Sequence, residues 1–166
     1  EQFTVSDETR AAEIEAEMLK QAQGRYLVTS VEKKQRKRNP SPPFTTSTLQ
    51  QEASRKLGFT AQRTMRTAQQ LYEGVDIGGE TVGLITYMRT DSVNLAAEAV
   101  NEIRELIAKR FGEDNLPETP HVYKTKSKNA QEAHEAVRPT SAERIPEQMK
   151  ERLTPEQFKL YELIWK

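Results

Sequence analysis

The chain's 166 residues are enough for one ordinary domain, but only 35% of them are hydrophobic and 30% are charged. The absence of cysteine excludes disulfides and thiolate metal sites, and His121 and His134 do not have the spacing of zinc ligands. Basic and acidic residues number 25 each, so the whole chain has no general attraction to nucleic acid. No apolar run approaches the length of a membrane span, and no membrane partner is expected.

Residues 1–38 predict one helix and one strand. Ser6 or Asp7 is a suitable cap for a helix that runs to about Gln23. Residues 26–31 are rich in aromatic and β-branched side chains, which favours a strand. The strand leads into residues 33–38, which hold five cations in six positions. This basic run either contacts phosphates or is a solvated strand edge, and the pattern favours neither.

A proline-rich connector at residues 39–43 separates this part from a predicted pair of helices at residues 49–57 and 61–73. Ser47 or Thr48 is a suitable cap for the first of them. Two helices joined by a short turn fit a helix-turn-helix that binds DNA, although an antiparallel helix pair is also a common packing unit. The exposed positions of the pair carry basic and amide side chains: Arg55, Lys56, Gln62, Arg63, Arg66, Gln69 and Gln70.

A short strand is predicted at residues 81–86, after a turn at residues 74–80. Tyr87 and Arg89 follow it two residues apart, so an extended chain directs both side chains to one face. The pair suits phosphate chemistry, because a phenol can act as a nucleophile and a guanidinium can bind two phosphate oxygens. A tyrosine at the end of a strand is more often a packing residue, and the local pattern alone leaves this alternative open.

The clearest predicted helix covers residues 94–111, with apolar side chains at helical spacing. A loop is expected at residues 113–128, and the capping box of Asn129 and Glu132 predicts a further helix to about Val137. Four side chains share one face of that helix: Gln131, His134, Glu135 and Arg138. A histidine and an arginine one turn apart can bind a phosphate, whereas a surface histidine paired with a glutamate is the ordinary alternative.

A short helix at residues 147–153 and a second one that begins at Thr154 and Pro155 complete the prediction. The apolar face of the last helix is unfinished at Lys166, and the chain begins with Glu1 instead of methionine. We therefore expect a piece of a larger protein.

Four stretches of the sequence resemble bacterial type IA DNA topoisomerases: residues 39–54, 68–74, 83–94 and 130–140. They occur in the family's order. The resemblance implies a mainly α fold with a few short β-strands, in which residues 1–46 are part of the strand-containing arch domain. Residues 47–166 are then a mainly helical domain, similar to a helix-turn-helix, that bears the catalytic tyrosine.

The resemblance also implies roles for single residues. Tyr87 matches the nucleophile that attacks one DNA strand and forms a transient 5′-phosphotyrosyl link, and Arg89 matches an arginine near the scissile phosphate. Nearby cations favour the phenolate and stabilise charge on the phosphate. His134 matches a histidine associated with DNA binding. Three further residues are assigned to DNA binding with it: Arg138, Gln131 and Thr90.

Part of the family's active site has no counterpart in the sequence, which lacks the acidic Asp-x-Asp-x-Glu pattern. We therefore expect Mg²⁺ in the intact enzyme with ligands outside these residues, and no metal site among them. ATP is not expected, because the tyrosyl ester keeps the energy of the broken phosphodiester. The expected partners are single-stranded DNA and the rest of the same polypeptide, in the cytoplasm at the nucleoid. The chain alone is expected to be inactive.

Two alternatives from other classes remain open at this point. One is a helix-turn-helix module that binds duplex DNA through Arg63 and Arg66 without any covalent chemistry. The other is a structural helical adaptor that does not bind DNA.

Overall fold

The computed structural model describes residues 5, 7–25, 27–36, 39–123 and 134–166. The chain divides into two compact units, which meet in sequence between Asn39 and Pro40. The helices and strands, in chain order, are α1 (Glu8–Ala22), α2 (Thr46–Leu57), α3 (Ala61–Glu73), β1 (Val75–Asp76), β2 (Thr81–Val82), α4 (Ala97–Phe111), a 3₁₀ turn (Glu113–Asn115), α5 (Pro146–Met149) and α6 (Pro155–Trp165). The predicted mainly helical fold with a few short strands is confirmed.

The first unit contains α1, which begins where the sequence predicts it. The carboxylate of Asp7 accepts a hydrogen bond from the backbone N–H of Arg10 at 2.8 Å and so caps the helix. The strand predicted at residues 26–31 is wrong for its described part, because residues 27–31 form no strand. A strand needs a neighbour for its backbone hydrogen bonds, and no other strand is present in the described part of this unit.

The core of the second unit lies between α2, α3 and α6 and an extended segment at residues 84–88, of which Leu84, Ile85 and Met88 are buried. Its fully buried side chains include Leu49, Leu71, Leu84, Met88, Leu160 and Tyr161. Helix α2 begins at Thr46, earlier than predicted, because Thr45 and Thr48 form a reciprocal capping box. The predicted helices α3 and α6 have the expected caps, Thr60 and Thr154.

A two-residue antiparallel hairpin joins α3 to the extended segment, with Val75 opposite Val82. In its loop the Asp76 carboxylate accepts the N–H groups of Gly78 at 2.8 Å and Gly79 at 3.0 Å. Hydrogen bonds from Gly79 and then Gly78 hold the pKa of Asp76 below its usual range. The hairpin confirms the predicted turn, but the strand ladder ends at Val82 instead of continuing to residue 86.

The prediction of a helix at residues 129–137 is wrong for the part that the structure describes, since residues 134–136 are not helical. Val137 instead pairs with Phe44, and Pro139 pairs with Ile85, as isolated antiparallel bridges. The backbone groups of this segment are therefore satisfied by distant partners, which overrides the local helix signals. The capping box of Asn129 and Glu132 lies outside the described residues.

Helix α4 begins three residues later than predicted, at Ala97, and its cap position, Ala96, has no side chain that can cap it. Helix α5 ends at Met149, before the predicted end at residue 153. None of the helices in the described ranges is both long and apolar enough to cross a membrane.

The buried Tyr161 of α6 allows a prediction about stability at high pH. Its hydroxyl donates a hydrogen bond to the carbonyl of Arg144 at 2.6 Å, and burial raises the pKa of Tyr161 to about 12. Between pH 10 and 12 the unfolded chain loses this proton and the folded chain keeps it, so stability falls as the pH rises through that window.

We expect Tyr161→Phe to lower stability by about 1–2 kcal/mol at pH 7, because the Arg144 carbonyl loses its donor. The variant should also lose less stability than the wild type between pH 10 and 12, the window given by the raised pKa. Thermal unfolding of both proteins across that range measures the difference. Parallel declines would contradict the assignment.

Candidate active site

The segment from Gly83 to Thr90 runs between the end of α3 and the start of α2. At its beginning, the N–H of Leu84 donates to the carbonyl of Leu71 at 2.7 Å. Gly83 lies so close to α3 that a Cβ atom on it would be 2.6 Å from the carbonyl oxygen of Tyr72. The sequence therefore has glycine where the segment crosses the helix end, because no side chain fits there.

The middle of the segment is bonded to residues 136–140 on its other side. The N–H of Thr86 donates to the carbonyl of Arg138 at 2.9 Å, and its hydroxyl donates to the carbonyl of Ala136 at 2.7 Å. The N–H of Thr140 donates to the carbonyl of Leu84 at 3.0 Å. These bonds hold the backbone of residues 84–86 before it reaches Tyr87.

The Tyr87 side chain is 49% exposed, although Met88 beside it is fully buried. Its ring contacts the ring of Tyr72 edge to face, with centroids 5.3 Å apart and planes at 62°. No hydrogen bond joins its hydroxyl to another described residue. The ring is thus supported on one side by α3 while the side chain remains open to solvent, as a nucleophile for a large substrate requires.

Arg89 is exposed, and within the described residues its guanidinium makes no ion pair. Thr90, by contrast, is only 9% exposed, and its hydroxyl accepts the N–H of Ser92 at 3.0 Å. The structure therefore brings Tyr87, Arg89 and Thr90 together on one loop, with the Thr90 side chain turned toward the protein.

His134 is exposed and lies two residues before Ala136, the residue whose carbonyl is bonded to Thr86. The same extended segment that supports Tyr87 therefore carries His134. The predicted shared helix face is not present in the described part, and Gln131 lies outside the described residues.

The side chain of Arg138 is only 17% exposed and is held by its neighbours. Its Nη2 donates to Oε2 of Glu135 at 2.8 Å, its Nε donates to Oε1 of Glu135 at 3.2 Å, and its Nη1 donates to the Pro139 carbonyl at 2.9 Å. Three of its five N–H groups are thus engaged within the protein, so a contact with DNA would use the remaining two or replace one of these bonds.

Glu135 has a role that the sequence did not predict. Its Oε1 accepts the N–H of Ala96 at 2.6 Å, at the end of α4 that lacks a side-chain cap. A carboxylate at the N-terminal end of a helix is favourable, so Glu135 links α4 to the segment beside Tyr87. Ser92 and Asn94 stand just before this helix and are ordinary cap residues, so no local signal pointed to a cap from Glu135.

Taken together, these residues define a helical domain that presents a half-exposed tyrosine and an exposed arginine on a tightly held loop. A family model described as DNA topoisomerase matches residues 1–166. DNA topoisomerase 1 of Xylella fastidiosa (strain Temecula1) is 60% identical over 167 residues, covering 100% of this chain and 20% of its own length. DNA topoisomerase 1 of Rickettsia bellii is 56% identical over 166 residues, with the same two coverages of 100% and 20%.

A solved structure of full-length topoisomerase I from Thermotoga maritima matches with a TM-score of 0.63 and 48% identity, over 76% of this chain and 19% of that one. The chain therefore belongs to the DNA topoisomerase family, as the resemblance predicted. It spans about a fifth, 20%, of the length of the curated relatives that it matches.

Proposed function

We propose that this chain is the tyrosine-bearing part of a type IA DNA topoisomerase that relaxes negatively supercoiled DNA. The observation that carries the proposal is the half-exposed Tyr87, on a loop held by α2, α3 and residues 136–140, in a chain of this family. The loop leaves the phenol accessible and fixes the backbone from which it projects.

In the proposed reaction the phenolic oxygen of Tyr87 attacks a backbone phosphorus of one DNA strand. The phenol gives up its proton to solvent as the bond between its oxygen and phosphorus forms. The bond from phosphorus to the 3′ oxygen breaks, and the 3′ oxygen takes up a proton from solvent and leaves as a hydroxyl. The guanidinium of Arg89 stabilises the negative charge on the phosphate oxygens during attack. His134 contributes to holding the DNA on the same face.

Resealing is the reverse reaction. The 3′ hydroxyl attacks the phosphotyrosyl ester, the phosphodiester forms again, and Tyr87 is released. The ester stores the energy of the broken bond, so the cycle needs no ATP. Between the two steps the other DNA strand passes through the break. The proposed substrate is the DNA of the nucleoid in the cytoplasm.

We place the Mg²⁺ ligands of the whole enzyme outside this chain, because its sequence lacks the acidic Asp-x-Asp-x-Glu pattern of the family. No group of three or more His, Asp or Glu side chains able to hold a metal ion is present among the described residues. When bound, Mg²⁺ supplies positive charge near DNA phosphates.

The alternative of a non-catalytic helix-turn-helix module has less support. Arg63, central to its expected DNA face, forms a salt bridge with Glu156 and lies 4.5 Å from the centre of the Phe59 ring. The ion pair with Arg63 also holds the pKa of Glu156 below its usual range. This guanidinium is therefore already engaged within the domain.

The test of the proposed function compares this 166-residue chain with the full-length protein. Each is incubated with single-stranded DNA and Mg²⁺, and covalent adduct is trapped with denaturant. We expect abundant adduct from the full-length protein and little from the chain alone, since part of the active site lies elsewhere. No adduct from the full-length protein would refute the proposed function, and abundant adduct from the chain alone would refute the division of the site.

A further inference from the structure

One threonine at the start of α2 is bonded to the backbone on both sides of Arg89. The hydroxyl of Thr46 donates to the carbonyl of Met88 at 2.8 Å and accepts the N–H of Thr90 at 2.9 Å. The backbone N–H of Thr46 donates to the carbonyl of Thr90 at 2.9 Å. A single residue therefore satisfies the peptide groups that flank Arg89, and its half-buried position keeps these bonds partly shielded from water.

Helix α2 gives Thr46 a rigid base. Leu49 and Ala53 of α2 are fully buried in the core, and the capping box of Thr45 and Thr48 fixes the first turn of the helix. The first N–H groups of a helix have no partner inside the helix. Here one of them, from Thr46, is bonded to the loop instead of to water.

Arg89 itself has little else to define its direction. Its side chain is exposed and, within the described residues, forms no ion pair. Its position depends on the backbone that carries it, and this backbone is held by the buried Met88 side chain and by Thr46. The Tyr87 backbone is held separately, through Thr86 and residues 136–138.

We propose that Thr46 is a positioning residue for DNA cleavage, which acts by holding Arg89 in the direction that contacts the scissile phosphate. This inference rests on the proposed function, in which Tyr87 attacks and Arg89 stabilises the phosphate. Catalysis depends steeply on the placement of charged groups, because an error of about 1 Å can slow a reaction by about 100-fold.

The test uses the full-length topoisomerase and single-turnover cleavage of a single-stranded oligonucleotide. Thr46→Val keeps the shape of the side chain but removes the hydroxyl, and we expect cleavage to slow by about 10- to 100-fold. Non-covalent binding of the oligonucleotide should change much less than cleavage. Thr46→Ser keeps the hydroxyl and should restore most of the rate.

Thr45→Val is the matched control, since Thr45 caps the same helix and makes no bond to residues 88–90 within the described residues. Loss of this cap of α2 should lower the thermal stability of the protein, while cleavage stays near the wild-type rate. If Thr45→Val slows cleavage as much as Thr46→Val, or if Thr46→Ser does not restore the rate, the loss comes from the helix or fold and the proposal is wrong.

A double-mutant cycle with Arg89→Ala tests whether Thr46 acts through Arg89. Thr46→Val should slow the Arg89→Ala enzyme by less than about 3-fold, because an enzyme without Arg89 has no guanidinium that Thr46 could position. Two effects that multiply fully would overturn the proposal. Adduct formation by a Tyr87→Phe enzyme would instead show that the proposed nucleophile is wrong. If the Tyr87→Phe enzyme is inert and the Thr46→Val enzyme cleaves at the wild-type rate, only the role of Thr46 is refuted.

Discussion

Replacing Tyr87 with phenylalanine in the full-length topoisomerase should abolish covalent capture of DNA and relaxation of a supercoiled plasmid. Phenylalanine has no oxygen that can bond to phosphorus, so the loss should exceed about 1,000-fold. The side chain is 49% exposed, so the substitution should change stability by less than about 0.5 kcal/mol. Denaturing gels of labelled DNA, relaxation of a supercoiled plasmid followed on agarose gels, and thermal unfolding measure the three quantities.

Tyr72→Phe is the matched control, because Tyr72 provides the other ring of the same edge-to-face pair. Removing its hydroxyl keeps the ring contact, so this variant should cleave DNA nearly as well as the wild type. Covalent capture that survives Tyr87→Phe would contradict the proposed nucleophile. A wild-type protein that binds duplex DNA without any covalent capture would favour the helix-turn-helix alternative, and one that binds no DNA would favour the adaptor.

Gly83→Ala should both destabilise the domain and impair cleavage. The new Cβ would be 2.6 Å from the backbone carbonyl oxygen of Tyr72, which cannot move aside as a side chain can. The segment must therefore shift away from α3, which strains the 2.7 Å bond from Leu84 to Leu71 and displaces Tyr87. We expect a loss of about 2–4 kcal/mol in the free energy of unfolding.

Gly79→Ala separates crowding from the general effect of losing a glycine. A Cβ at Gly79 would meet nothing within 4 Å, although the φ of +107° makes alanine strained there. Its loss of stability should be about 1 kcal/mol, with cleavage unchanged. Urea unfolding and single-turnover cleavage of both variants test the comparison. A Gly83→Ala protein as stable and active as the wild type would show that the close approach to α3 is unimportant.

Local signals were sufficient to predict most helices. Asp7, Thr60 and Thr154 act as caps in the structure, as their side chains and the apolar spacing after them indicate. Such signals lie within a few residues of the element that they define. These signals failed at residues 134–137. The sequence pattern there indicates a helix, but the backbone is not helical, because Val137 and Pro139 pair with segments that are far away in sequence.

The candidate site likewise has one part that local sequence signals indicate and one part that they do not. Tyr87 and Arg89 could be proposed as a pair because a phenol and a guanidinium stand two residues apart within one motif, and their roles stay a prediction. The parts that hold them could not be proposed in this way, because they depend on tertiary contacts. Thr46 is 42 and 44 residues from its partners Met88 and Thr90. Glu135 is 39 residues from Ala96. No periodicity or capping rule relates positions so far apart.

We propose that Tyr87 becomes covalently bound to the 5′ end of a cleaved DNA strand. The most direct test is to trap the adduct of the full-length protein with a labelled oligonucleotide, digest it with protease and identify the modified residue by mass spectrometry. We predict a peptide that contains Tyr87 with a nucleotide attached through its 5′ phosphate, and a free 3′ hydroxyl on the other DNA fragment. A nucleotide on any other residue, or an attachment through a 3′ phosphate, would contradict the claim.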